Sequence, residues 1–221
     1  MACAVAVFAT WLLAESASAA DSVVAAALRE ALQLSVERGI AAVARPDGFL
    51  ANPAIHIPVP EQLSKVETKL RQTGNERRVE RFVESLNRVA EESTPAARPV
   101  LLAGVAELAL DDGHRILTGG DTAATDLLRR TTLGRVITAL NPVVADTMGR
   151  VGVARRYKRF MRDSSSFGGL FQQSPVDLDA YVALRTADGL FHAIGQEERR
   201  IRVDPAARTT QRLRDLFGAH R

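Results

Sequence analysis

The stretch Asn75-Glu76-Arg77-Arg78-Val79-Glu80-Arg81-Phe82-Val83-Glu84-Ser85-Leu86-Asn87-Arg88-Val89 decides the fold. Val79, Phe82, Val83, Leu86 and Val89 recur at intervals of three and four, so a helix places them on one apolar face, and Asn75 stands where its cap belongs. Upstream, Pro60 predicts a helix start and Gly74 its stop. Residues 46–60 hold Pro46, Gly48, Pro53, Pro58 and Pro60, a proline-rich loop in which Ile55, Ile57 and Val59 alternate with His56 and Pro58 as in a short extended segment. The first helix carries Val23, Val24, Ala27, Leu28, Ala31 and Leu34, with Asp21 or Ser22 as cap and Pro46 as stop.

Downstream the same pattern repeats. Thr94-Pro95 restarts the chain, and helix continues through Leu101, Leu102, Val105 and Leu108. Asp111 to Leu117 reads as a short helix ending at Gly119-Gly120, and Asp121 as the cap of a long helix to about Leu140. Asn141-Pro142 predicts a break and a new start. Residues 164–173 read as loop, and Ser174, Pro175 and Asp177 as the start of a helix over 176–202. Asp204-Pro205 is expected to cap the last helix, which Gly218 ends. No βαβ alternation and no repeat period occurs. The expected fold is all-α, an irregular multi-helix bundle forming one domain over residues 20–221.

The chain has 221 residues, 46% hydrophobic and 25% charged, which suits a globular domain and excludes general disorder. One cysteine excludes a disulfide framework and a cysteine-based zinc site. Of the 29 basic residues three are lysines (Lys65, Lys69, Lys158), leaving 26 arginines. Arginine suits anionic partners, but a net charge of +3 argues against a dedicated nucleic-acid binder.

Met1 to Leu13 is apolar apart from Thr10, followed by Glu15 and the small residues Ala17-Ser18-Ala19. This predicts a signal peptide over residues 1–19, with export to the periplasm. Cleavage would remove Glu15 and raise the net charge from +3 to +4. Cys3 precedes the apolar core, so it is not placed for lipidation. The core is shorter than the roughly 20 residues that cross a bilayer, and no transmembrane segment is expected later in the chain.

Four ordered strings resemble the bacterial domain of unknown function 4197 family. They are Arg45-Pro46-Asp47-Gly48-Phe49 with Asn52-Pro53-Ala54-Ile55 and Ile57-Pro58-Val59-Pro60; Ile116-Leu117-Thr118-Gly119-Gly120-Asp121-Thr122-Ala123-Ala124-Thr125; Asp177-Leu178-Asp179-Ala180-Tyr181-Val182 with Asp188-Gly189-Leu190-Phe191; and Glu197-Glu198 with Ile201-Arg202 before Asp204-Pro205-Ala206-Ala207-Arg208-Thr209-Thr210. The resemblance covers about residues 24–218 and implies an exported helical bacterial protein. It carries over no catalytic residue.

The segment Arg150 to Arg162 points outward most clearly. Val153, Tyr157, Phe160 and Met161 form a stripe, while Arg155, Arg156, Lys158, Arg159 and Arg162 cover the rest, with no acid between Asp146 and Asp163. A basic amphipathic helix can lie on anionic lipid or hold an anionic ligand, and it can equally be a core-facing helix with a solvated outer face. The motif acids Asp47, Asp121, Asp188 and Glu197 are candidates for a binding site or for a hydrolase. Arg208 is expected to pair with one of them.

Gly119-Gly120 precedes a helix N-terminus, but Asp121 would occupy the free amides and repel an anion. Glu197-Glu198-Arg199-Arg200 reads as a solvated helix face. The pairs Asp111/His114 and Asp188/His192 have ligand spacing without obvious facing glutamates, so no metal and no cofactor are assigned. His56 is expected at the surface, and neither it nor His220 joins a Gly-x-Ser-x-Gly serine. The expected function is a ligand- or partner-binding module of the bacterial envelope, its partner an anionic lipid or an envelope protein. The alternatives are an envelope hydrolase using motif carboxylates and a structural or stress-related interaction protein.

Overall fold

A computed structural model describes residues 3–108, 113–161 and 176–218, with side chains from residue 22 onward except at 113 and 114. The predicted loop at 164–173, Ser174, Pro175, Asp111, Arg162 and His220 lie outside the described residues. Among those described, the chain is helical and contains no strand.

Helix α1 (Cys3–Val43) is continuous through Asp21 and Ser22, so neither is its cap. Ala17 to Ala20 is rich in alanine, the strongest helix former, and carries the helix across that point. Leu28, Leu32, Val36 and Ile40 are buried along one face. That face packs on α8 (Leu178–Val203), which lies between α1 and α6 (Ala123–Val151).

Two short helices flank the decisive stretch. Helix α2 (Ser64–Gln72) follows a 3₁₀ turn at Glu61–Leu63 and stops before Gly74, whose φ of +74° is the left-handed value that glycine accepts without strain. Helix α3 (Glu76–Ser93) buries Val79, Phe82, Val83, Leu86 and Val89. Each such side chain contributes about 1.5–3 kcal/mol by leaving water, which is why this face settles the bundle. Helix α4 (Arg98–Glu107) packs on α1 and α6, and α5 (Gly113–Leu117) is a single turn and a half.

The segment 46–60 alternates inward and outward as expected: Ile55, Ile57 and Val59 are buried and Pro58 is exposed. It forms no strand. Pro58 and Pro60 cannot donate to a ladder. Instead the buried Asn87 side chain acts as the single rung: its Oδ1 accepts from the Ile57 N–H and its Nδ2 donates to the Ile57 carbonyl, both at 2.9 Å. Buried Glu91 accepts from the amides of Phe49 and Leu50 at 3.1 and 3.2 Å. Phe49 in turn lies over Gly189 of α8, where an added Cβ would stand 2.5 Å from its ring.

Several boundaries move. Asn141-Pro142 does not break α6, which runs through to Val151. Pro142 is on the exposed side, and Thr138, whose carbonyl loses its partner, is exposed too, so water satisfies it. Asp177 caps α8, its Oδ1 accepting from the Ala180 amide at 2.9 Å. Asp204 caps only the 3₁₀ turn Pro205–Ala207. The last helix, α9 (Gln211–Gly218), starts one turn later, where the Thr210 hydroxyl accepts from Leu213.

Candidate functional site

Helix α6 ends at Gly152, again at φ +74°, and the chain turns directly into α7 (Val153–Met161). This turn lays α7 against α3. Val153 and Phe160 are buried, and Phe82 of α3 meets Phe160 at a ring-centroid distance of 4.9 Å and Tyr157 at 6.0 Å. The apolar stripe of α7 is therefore spent on the core. This is the core-facing arrangement of the two read from the sequence, with the basic residues left on the outer face.

What remains outside is a cleft. Arg78 and Arg81 of α3 face Arg155, Arg156 and Arg159 of α7 around a cavity of about 500 Å³ floored by Gly152. A Cβ at Gly152 would stand 3.0 Å from the Arg155 guanidinium, so the bare glycine lets that side chain fold over the turn. The Arg156 guanidinium donates to the Val151 carbonyl, which closes the end of α6. No carboxylate is among the described residues that line the cavity. Arg150, in the last turn of α6, holds Asp146 and Glu92 at 3.1 Å each. Lys158 is exposed on the same helix outside the cavity lining.

The motif acids are not gathered with these arginines or with one another. Asp47 pairs with Arg88 at 2.7 Å, and Arg88 also holds Glu91; these contacts, Glu91 foremost, raise the guanidinium above its ordinary pKa. Asp188 pairs with Arg129 at 2.5 Å. Glu197 lies 3.9 Å from Arg38 and 3.8 Å from Arg200. Asp121 does not cap α6, a correction. It meets Arg199 at 3.3 Å, and the amides at the head of α6 are bound by Glu198, which accepts from Ala124 N at 3.1 Å and Thr125 N at 2.7 Å. A carboxylate does sit on this helix N-terminus, supplied by α8.

The reading of Glu197-Glu198 as a solvated face fails for the same reason: Glu198 is 2% exposed and also bound to Arg202 at 2.8 Å. Arg208 is structural and pairs with no acid among the described residues. It is 6% exposed and donates to the carbonyls of Ile201 at 3.0 Å and Arg202 at 2.7 Å, closing the C-terminal turn of α8. His56 lines a smaller cavity of about 380 Å³ on the other flank of α3, and its Nδ1 lies 3.1 Å from the Leu50 carbonyl. Asp188 is engaged by Arg129 while His192 is exposed, and among the described residues no three His, Cys, Asp or Glu side chains converge. The side chain of His114 lies outside the described residues.

Arg78 and Arg81 are the site residues that sequence reasoning missed. Their spacing of three put them on one helix face, and nothing local distinguished that face from ordinary solvated surface. No described helix is long and apolar enough to cross a membrane.

A family model described as a protein of unknown function (DUF4197) matches residues 18–218. No curated protein and no solved structure matches the chain.

Proposed function

The chain belongs to that family, and from this footing we propose that it is an anion-binding module of the bacterial envelope whose ligand or partner enters the arginine cleft between α3 and α7. One observation carries the reading: five arginines from two helices line a cavity of about 500 Å³, and no carboxylate is among its described lining residues. Guanidinium groups stay charged across the physiological range, so such a gathering attracts anions from solution. Arginine forks match phosphate and carboxylate oxygens two at a time. Because Val153, Tyr157 and Phe160 pack on the core, a contact with an anionic lipid would run through headgroup charge without insertion.

The apolar start and Ala17-Ser18-Ala19 support export. A cut after Ala19 would leave Asp21 and Ser22 in the first turn of a shortened α1, where both favour the helix N-terminus. The hydrolase reading has no comparable support, since Asp47, Asp121, Asp188 and Glu197 are held in separate ion pairs.

Co-sedimentation with vesicles tests the anion reading. The protein should bind vesicles containing phosphatidylglycerol at low salt, lose them as salt screens the attraction, and lose them in Arg155→Glu/Arg159→Glu. Equal binding to neutral vesicles, or no binding of any anion at low salt, overturns it. Intact mass of the periplasmic fraction tests export: a chain starting near Ala20 is expected, and full-length protein kept in the cytoplasm refutes it.

A further inference from the structure

We propose that the cavity beside His56 is a second binding site, independent of the arginine cleft, and that it takes a small organic cation: an ammonium group on a short hydrocarbon stem. Its volume of about 380 Å³ lies within the range of small-molecule sites. Three elements wall it: Glu67 and Arg71 from α2; Glu80, Val83 and Glu84 from α3; and Leu50, His56, Pro58 and Val59 from the proline-rich loop. The loop wall is fixed in advance. Asn87 of α3 holds Ile57 by both its amide and its carbonyl, Glu91 holds the Leu50 amide, and the Tyr181 hydroxyl donates to the Pro58 carbonyl at 3.1 Å. A wall that is already ordered spares a ligand that ordering cost.

The lining sets the chemistry. Leu50, Pro58, Val59 and Val83 offer hydrocarbon, and Val59 and Val83 are themselves buried. The polar groups along this surface are arranged to accept. His56 Nδ1 lies 3.1 Å from the Leu50 carbonyl, which can only accept, so in the neutral ring Nδ1 carries the proton and Nε2 presents its lone pair. Glu80 and Glu84 stand one turn apart on α3 beside Val83, and ionised carboxylates only accept. Arg71, the one arginine among the described lining residues, is turned to Glu67: its Nε and Nη2 donate to the same Oε1 at 3.1 and 2.9 Å. Hydrocarbon bordered by acceptors matches a stem that ends in an ammonium, whose N–H groups all donate. A carboxylate on the same stem would meet Glu80 and Glu84 with like charge.

Helix α2 is the least anchored wall. Its buried side chains are Val66 and Leu70, and its helix partner is α3. It joins α3 through Gly74, where nothing stands within 4 Å of an added Cβ. A helix held by so few buried side chains opens more readily than the core. A ligand lying between Glu67 and the fixed loop should therefore hold α2 down.

Calorimetric titration of the full chain at physiological ionic strength tests this, with butylamine, hexylamine, hexanol and hexanoate as probes. Hexylamine should bind about tenfold more tightly than butylamine, because two more methylenes leave water, and at least about tenfold more tightly than hexanol and hexanoate. Glu80→Gln/Glu84→Gln should weaken hexylamine at least about fivefold with an unchanged Tm, since both side chains are exposed. Glu61→Gln, exposed on the 3₁₀ turn outside the lining, should change nothing. Arg155→Glu/Arg159→Glu should leave hexylamine binding intact, so failure here and failure of the anion cleft are told apart. Hydrogen exchange should slow in α2 when hexylamine is present. Failure to bind hexylamine overturns the site, and equal affinity for hexylamine and hexanol overturns the cation. Binding indifferent to Glu80 and Glu84, or with unchanged exchange in α2, places the ligand elsewhere and overturns the proposal.

Discussion

Replacing Glu198 by alanine should be the most damaging single change at the α6–α8 contact. Five hydrogen bonds end on its two carboxylate oxygens: from the amides of Ala124 and Thr125, from the Thr125 hydroxyl at 2.6 Å, and from Arg202 Nε and Nη2 at 2.9 and 2.8 Å. The carboxylate is 2% exposed and the Arg202 side chain 9% exposed. Alanine would strand a buried guanidinium and two helix-end amides together. Breaking a buried ion pair from one side costs about 3–5 kcal/mol. Arg202 keeps its bonds to the Leu117 and Ile116 carbonyls, at 3.2 and 3.1 Å, which places the cost toward the lower figure. An unfolding entropy of about 2.1 cal/mol/K per residue over 221 residues gives roughly 0.46 kcal/mol/K, so a cost of about 3 kcal/mol should lower Tm by about 7 °C. Calorimetry on Glu198→Ala, Arg202→Ala and the double variant measures it. The double variant should cost at least about 1 kcal/mol less than the sum of the singles, because each single strands the other partner. Asp121→Ala should be nearly silent, within about 0.5 kcal/mol, since its pair with Arg199 is exposed. If Asp121→Ala destabilises more than Glu198→Ala, the assignment of the cap is wrong.

Two further changes probe the same kind of long-range support. Asn87→Ala should cost about 2–4 kcal/mol by orphaning the Ile57 amide and carbonyl, and hydrogen exchange should speed up at the Ile57 amide while α3 stays protected; unchanged exchange there would refute the rung. Arg208→Ala should cost about 2–3 kcal/mol through the freed carbonyls of Ile201 and Arg202 without weakening anion binding, and a well-folded variant that fails to bind would move Arg208 into a site.

How much was legible in the sequence depends on the range of the force involved. The helix face of Val79, Phe82, Val83, Leu86 and Val89, the stop at Gly74, and the stripe and basic surface of α7 follow from spacing and from the backbone preferences of glycine and proline, which act within a turn or two. The sequence by itself therefore determined an all-α chain, most of its helix boundaries and the helix that carries three of the cleft arginines.

Tertiary structure decided the rest. Asp121 stood at the right position to cap α6, but Glu198, 73 residues beyond Thr125, took the amides because burial strengthens its hydrogen bonds and Arg202 offsets its charge. Pro142 looked like a break until its side of α6 proved to face water. Arg78 and Arg81 looked like solvated surface until the turn at Gly152 brought Arg155, Arg156 and Arg159 opposite them. Spacing along a chain fixes which residues share a face; only the packing of α7 on Phe82 fixes which two faces meet, and the candidate site lies where they meet.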